Sequence, residues 1–195
     1  MAKHDDKIRI LLVDDHVFTS LGVKSFLERH HDFQVVGTPG SASEAFRQIM
    51  TRSVDVAIID LVIDAEDGLA LVKQVAAQQP SLGMIVLSMH DERVYAERVL
   101  RAGARGYVMK GEDPEILVTA IRNVHRGGVH LSPRMREALA VRATQGGKSS
   151  LPLDALSDRE LTVFRWLGEG RSSREIAEAL HLSFKTVHTY RERIK

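Results

Sequence analysis

Asp14-Asp15, Asp60, Ser88 and Lys110 each stand at or just past the end of a short apolar run: IRILLV, DVAIID, GMIVLS and RGYVM. Carboxylates, a hydroxyl and an ammonium brought together are the parts needed to handle a phosphoryl group. Three crowded acids repel one another unless a divalent cation neutralises them, and oxygen ligands with a few waters suit Mg²⁺. A carboxylate can itself attack phosphorus and become an aspartyl phosphate. That step needs positive charge on the phosphoryl oxygens and a donor to one of them. Asp60 fits the nucleophile, Asp14 and Asp15 the metal ligands, Lys110 the cation and Ser88 the donor.

These residues converge only if the chain places the ends of their runs on one rim. The apolar runs cover 8–13, 33–37, 55–60, 83–88 and 105–109, and amphipathic segments cover 16–29, 41–51, 67–78, 91–102 and 112–126. This alternation predicts five βα units, with strands apolar on both faces forming a parallel sheet between helices. Ser41, Asp67 and Asp91 suit helix N-caps, Gly103 follows a helix, and Asp113-Pro114 suits a helix start. Ligands of such sheets sit beyond the carboxyl ends of the strands, where strand order reverses. In AIIDLVIDAEDG, Asp60 is then the reactive acid, and Asp64 and Glu66 read as an acidic solvated loop.

A chain of 195 residues, 44% hydrophobic and 27% charged, suits one medium globular domain with a smaller one. No apolar run approaches the roughly eighteen residues of a membrane span, and MAKHDDK has no apolar signal core behind it. The expectation is a cytoplasmic protein without membrane contact. The absence of cysteine excludes disulfides, thiolate nucleophiles and cysteine-based zinc sites. Charge is uneven: residues 1–124 carry 14 Lys+Arg against 18 Asp+Glu, and residues 125–195 carry 13 against 8. An acidic regulatory part joined to a basic nucleic-acid-binding part would show this asymmetry.

LLVDDH, IIDL followed by DG, VLSMH and GARGYVMK resemble the receiver domain of bacterial two-component response regulators, over about residues 7–126. The resemblance implies a flavodoxin-like, doubly wound, five-stranded parallel sheet. It implies that Asp60 accepts phosphate from a sensor histidine kinase. Mg²⁺ would be bound by Asp15, Asp60 and the backbone carbonyl of Val62, with Asp14 acting through water. Ser88 and Tyr107 match the family's switch positions, Tyr107 moving inward as Ser88 is drawn to the phosphoryl group. The surface carrying Tyr95, Arg98, Arg101 and Arg122 would change and pair two copies. Phosphatases of the haloacid dehalogenase type also carry a nucleophilic Asp after a strand, with a second Asp two residues on as general acid. That position here is Val62, which cannot protonate a leaving group. The expected protein is therefore no enzyme, catalysing only its own phosphoryl transfer and slow autodephosphorylation.

After residue 126 the alternation stops. Ser132-Pro133 with RMREALAVRA reads as a short helix and TQGGKSSLP as a flexible linker, giving a linker over 127–153. Residues 154–195 read as an all-α domain of three short helices. Ser157 with Glu160 forms a capping box, Ser172 or Ser173 caps the second helix, Gly170 separates the first two, and Ser183 begins the third. Leu161, Phe164, Leu167, Ile176, Ala177 and Leu180 fall at spacings that bury them together. On the third helix Val187, Tyr190 and Ile194 face the core. Lys185, His188, Thr189 and Glu192 are left for a major groove, and Thr186, Arg191, Arg193 and Lys195 for phosphates or backbone contacts.

Leu156-Ser157-Asp158-Arg159-Glu160, Glu175-Ile176-Ala177 with Leu180, and Ser183-Phe184-Lys185-Thr186-Val187 resemble the LuxR-type helix-turn-helix. With the receiver, the whole chain is similar to the NarL/FixJ class of response regulators. That implies promoter DNA as partner, transcription regulation as output and a homodimer when phosphorylated. The alternative is a phosphate-independent receiver acting through protein contacts. Three departures stand out: Ile63-Asp64 replaces the usual Met-Pro, His188 replaces a frequent Lys, and the sequence ends at Lys195, before the family's fourth helix.

Overall fold

Runs rich in Val, Ile and Leu, too short for helices and bounded by polar residues, have formed strands in the computed structural model, which describes residues 7–63, 66–144, 152–180 and 182–194. β1 (Ile8–Val13), β2 (Phe33–Gly37) and β3 (Val56–Ile59) alternate with α1 (Val17–Leu27) and α2 (Ala42–Thr51). A two-residue hairpin, β4 (Val62–Ile63) and β5 (Glu66–Asp67), then leads into α3 (Gly68–Gln78). β6 (Gly83–Ser88), α4 (Glu92–Arg101), β7 (Gly106–Met109) and α5 (Pro114–His125) complete the pattern. All five long strands pair in parallel in the order β2-β1-β3-β6-β7. The chain winds outward from β1 to β2, then back across to β3, so order reverses between β1 and β3.

Every residue of β3 and β6 is buried, because helices cover both faces. Neighbouring strand residues serve opposite faces. Leu11, Val13, Ala57, Ile59, Met84 and Val86 pack with residues of α2, α3 and α4. Ile10, Leu12, Ile58, Ile85 and Leu87 pack with residues of α1 and α5. The caps form as expected: Ser41 accepts from Glu44 N–H, Asp67 from Leu69, Asp91 from Arg93 and Asp113 from Glu115. Gly103 takes φ +110°, the left-handed conformation that suits glycine after a helix.

The segment after α5 stays with this unit. His130 N–H donates to the Arg105 carbonyl at 2.8 Å, and Tyr107 N–H donates to the His130 carbonyl at 3.0 Å, so residue 130 adds a bridge to the outer edge of β7. Leu131 and Met135 are buried in the same core as Tyr107. Ser132 caps the next helix, α6 (Pro133–Thr144), by accepting from Met135 N–H, and its hydroxyl donates to Glu92 on α4 at 2.5 Å. Most of the expected linker stretch TQGGKSSLP lies outside the described residues.

The chain divides into two compact units, Met1–Leu139 and Ala140–Lys195. The second holds a 3₁₀ turn at Pro152–Ala155, then α7 (Asp158–Gly168), α8 (Ser173–Ala179) and α9 (Phe184–Ile194). Ser157 with Glu160, and Ser172 with Glu175, form capping boxes. Gly170 takes φ +84° in the turn between α7 and α8. The expected core needs one correction: Phe164 is 41% exposed, and Val163 and Trp166 are buried in its place. Leu161 of the expected set is buried and Leu167 half-buried, and Trp166, which that set leaves out, fills the core where Phe164 was expected. Among the described residues no helix is long and apolar enough to cross a membrane.

Candidate functional site

Parallel pairing puts Asp14, Asp60, Ser88 and Lys110 on the carboxyl rim, at the place where strand order reverses. Asp60 N–H donates to the Val13 carbonyl at 2.9 Å, and Lys110 N–H to the Ser88 carbonyl at 2.8 Å, so the sheet ladder itself fixes these positions. The Lys110 ammonium donates to Asp14 Oδ2 at 2.7 Å and to Asp60 Oδ2 at 2.6 Å. Both carboxylates are almost fully buried. Burial raises the Asp60 pKa, and the Asp14 charge adds to this, against the opposing pull of Lys110. Burial alone would lower the Lys110 pKa, but its bonds to Asp14 and Asp60 outweigh that and hold it raised.

Asp60 Oδ1 also accepts from Val62 N–H at 3.3 Å. Gly68 explains the DG pair: a Cβ there would lie 1.9 Å from the Asp60 carbonyl oxygen, so only glycine lets α3 begin this close to the site. Glu66 is not in a loop, as expected, but in β5, whose backbone pairs with β4. Asp64 lies outside the described residues.

Asp15 is partly exposed, and its Oδ1 lies 2.9 Å from His16 Nδ1. Asp14, Asp15, His16 and Asp60 each offer a ligand atom, all within 4.8 Å of one another. His16 is the member that reading the sequence missed. Its backbone N–H also donates to Asp14 Oδ1 at 2.8 Å, and the DDH order was the available signal.

Ser88 is fully buried and its Oγ accepts from His90 N–H at 3.2 Å. Tyr107 is only 2% exposed, and its phenol donates to the His90 carbonyl at 2.8 Å. The inward position expected to follow phosphorylation is thus already taken in this structure, held by burial in the α4-side core and by that bond. Burial also pushes the Tyr107 phenol pKa up. Tyr95 and Arg98 on α4 are partly exposed and Arg101 is exposed. Arg122 does not share their surface, because Asp32 holds its guanidinium at 2.9 Å and its carbon lies 5.2 Å from the Phe33 ring centroid.

On α9, Val187 is fully buried and Tyr190 and Ile194 partly so, which leaves Lys185, His188, Thr189 and Glu192 exposed on one stripe. Thr186 N–H donates to Ser183 Oγ at 3.0 Å, fixing the helix start. Two basic residues are engaged within the unit. Arg191 donates to Ser173 Oγ at 2.9 Å, and Arg193 to Glu160 Oε1 at 3.4 Å. Lys195 lies outside the described residues.

Residues 10–122 match the family described as the response regulator receiver domain, and residues 154–195 match the bacterial regulatory proteins of the luxR family. The chain is 33% identical over 187 residues to the response regulator UvrY of Escherichia coli strain K12, covering 96% of this chain and 86% of that protein. It is 34% identical over 185 residues to the transcriptional regulatory protein LiaR of Bacillus subtilis strain 168, covering 94% and 87%. Among solved structures it is similar to RcsB from Salmonella enterica serovar Typhimurium, bound to promoter P1flhDC in the presence of the phosphomimetic BeF₃⁻. That match has TM-score 0.72 and 26% identity, over 96% of this chain and 90% of that one. A LuxR-family two-component response regulator from Aurantimonas sp. SI85-9A1 matches with TM-score 0.66 and 29% identity, over 71% and 99%.

Proposed function

We propose that this chain, which belongs to the two-component response regulators of the NarL/FixJ class, is switched by phosphorylation of Asp60. Its class makes it a DNA-binding transcriptional regulator. The observation that carries the proposal is the Lys110 ammonium held between buried Asp14 and Asp60, beside Ser88. A carboxylate oxygen of Asp60 attacks phosphorus, and the bond to the donor nitrogen of a sensor histidine kinase breaks. Lys110 neutralises charge on the phosphoryl oxygens, and Ser88 exchanges its bond with His90 N–H for one to the phosphoryl group.

The donor set fits Mg²⁺: Asp14, Asp15 and Asp60 offer oxygens within 4.8 Å of one another, and hard oxygen ligands suit that ion. Asp15, Asp60 and the Val62 carbonyl would hold the ion, with Asp14 acting through water, and it would supply positive charge to the phosphoryl oxygens. Val62 provides no general acid, so the chemistry ends with the chain's own phosphoryl group and its slow hydrolysis.

Ser88 and Tyr107 bond to the two peptide groups that flank His90, Ser88 to its N–H and Tyr107 to its carbonyl, so losing one bond alters the support of the other. Phosphorylation then stabilises the inward Tyr107 rather than creating it. Copies pair through helix faces, since residue 130 occupies the outer edge of β7. Pairing raises affinity for promoter half-sites through effective concentration. The protein works in the cytoplasm, where kinase domain and promoter are both reached. The inward Tyr107 is also the observation that favours the rival, a receiver signalling without phosphate. Incubation with Mg²⁺ and acetyl phosphate decides between them: an acyl-phosphate band on an affinity gel, absent in Asp60→Asn, is expected. Unmodified wild-type protein would leave the rival standing.

A further inference from the structure

Phe184 is a large apolar side chain left 54% exposed in the first turn of α9. It does not serve the core of its unit, which α9 meets through Val187. Its ring lies nearly parallel to that of His188, at 12° with centroids 6.5 Å apart. His188, with Lys185, Thr189 and Glu192, belongs to the exposed stripe, and Phe184 lies beside it. The stack limits the phenyl ring's freedom, so less entropy is lost when it is covered. Exposed apolar area of this kind favours any partner that removes it from water.

In a helix-turn-helix the N-terminal residues of the second helix approach base edges. A phenyl ring has no donor for phosphate or for a purine edge. The apolar group that the major groove presents is the thymine 5-methyl. We propose that Phe184, braced by His188, reads a thymine methyl and so sets part of the base preference of this chain. This rests on DNA binding through α9.

The test selects duplexes from a random pool with the full chain, then replaces each enriched thymine by deoxyuridine, which removes only the methyl. At one position per half-site the replacement is expected to weaken wild-type binding about fourfold, the factor given by one apolar carbon taken from water. Phe184→Ala should bind the thymine and uracil duplexes alike, and Phe184→Leu should keep part of the difference. Equal wild-type affinity for both duplexes at every position, no enriched thymine, or full discrimination by Phe184→Ala each overturns the proposal. Trp166 fluorescence checks that the variant unit is folded, since Trp166 is buried there and is the only tryptophan. Salt-sensitive retardation of unselected DNA reports separately on DNA binding: its loss in wild type sinks both readings, whereas its presence with equal thymine and uracil binding sinks this one alone.

Discussion

At the rim of the sheet Lys110 bonds to Asp14 and Asp60, 96 and 50 residues away along the chain. On the outer stripe of α9 the bonds are local: Thr186 to Ser183, and Thr189 to the Lys185 carbonyl. The rim is buried, long-range and coupled, whereas the stripe is exposed and its side chains stand side by side. Covalent transfer needs a few groups fixed before the substrate arrives, so each is indispensable. A groove contact spreads its free energy over many weak positions. Substitutions at the rim should therefore abolish function outright, and those on α9 should trim it.

The largest effect is expected at Asp60. Asp60→Asn should show no phosphoryl label and no change in DNA affinity on adding beryllofluoride with Mg²⁺. Its stability should move the other way. A raised carboxylate pKa means the fold disfavours the ionised form, and that cost is fully present above the raised value and disappears below the ordinary one. Asp60→Asn should therefore melt no lower than wild type at neutral pH, and any gain should shrink as pH falls through the raised Asp60 value. A gain that grew on acidification would contradict the assigned direction. The rate of labelling of wild type by acetyl phosphate should fall over the same window, since only the carboxylate attacks.

Lys110→Ala is next. It leaves two nearly buried carboxylates facing each other without their shared cation, a loss of about 3 kcal/mol. Urea unfolding of the receiver should show it as a lower midpoint with unchanged slope, together with loss of labelling. A variant as stable as wild type would mean that the rim is not coupled in this way.

The same contrast explains which features are legible in the sequence. Strand ends and caps are local signals, so Asp60, Asp67-Gly68 and Asp113-Pro114 can be placed from spacing alone. Parallel pairing then brings the rim together without further information. Features that depend on partners elsewhere are not legible. Nothing near Tyr107 announces that His90 accepts its phenol, and nothing near Arg193 announces Glu160, 33 residues earlier. The β4-β5 hairpin escapes because two-residue strands leave no alternation to detect. Phe184 escapes because its exposure is set by packing against other helices, which no local pattern at a helix start reports.

A middling effect is expected where the helical unit borrows the rim's device, a buried carboxylate. Glu160 accepts from both the backbone and the hydroxyl of Ser157, then from Arg193, and these bonds lower its pKa. A lowered value means stability present above the ordinary glutamate pKa and lost as pH falls through the depressed one. Trp166 fluorescence should show this unit losing stability on acidification with a sign opposite to the Asp60 contribution. Ser157→Ala should cost about 1 kcal/mol at neutral pH and flatten that acid response. An acid response unchanged in Ser157→Ala would remove Glu160 as its source.

The smallest effects separate residues of α9 that look alike in sequence. Lys185 is exposed at the start of the helix, so Lys185→Ala should weaken binding to all sequences a few-fold and lower the slope of log affinity against log salt by about 1. Arg193 has the same charge but is turned back to Glu160. Arg193→Ala should leave the salt slope nearly unchanged and instead reduce the stability of the helical unit by about 0.5 kcal/mol, the scale of a solvent-exposed pair. Arg191, tied to Ser173, should behave in the same way. If Arg193→Ala lowered the salt slope as much as Lys185→Ala, its bond to Glu160 would be one that opens for DNA, and the boundary between packing and recognition on this helix would move to include its last turn.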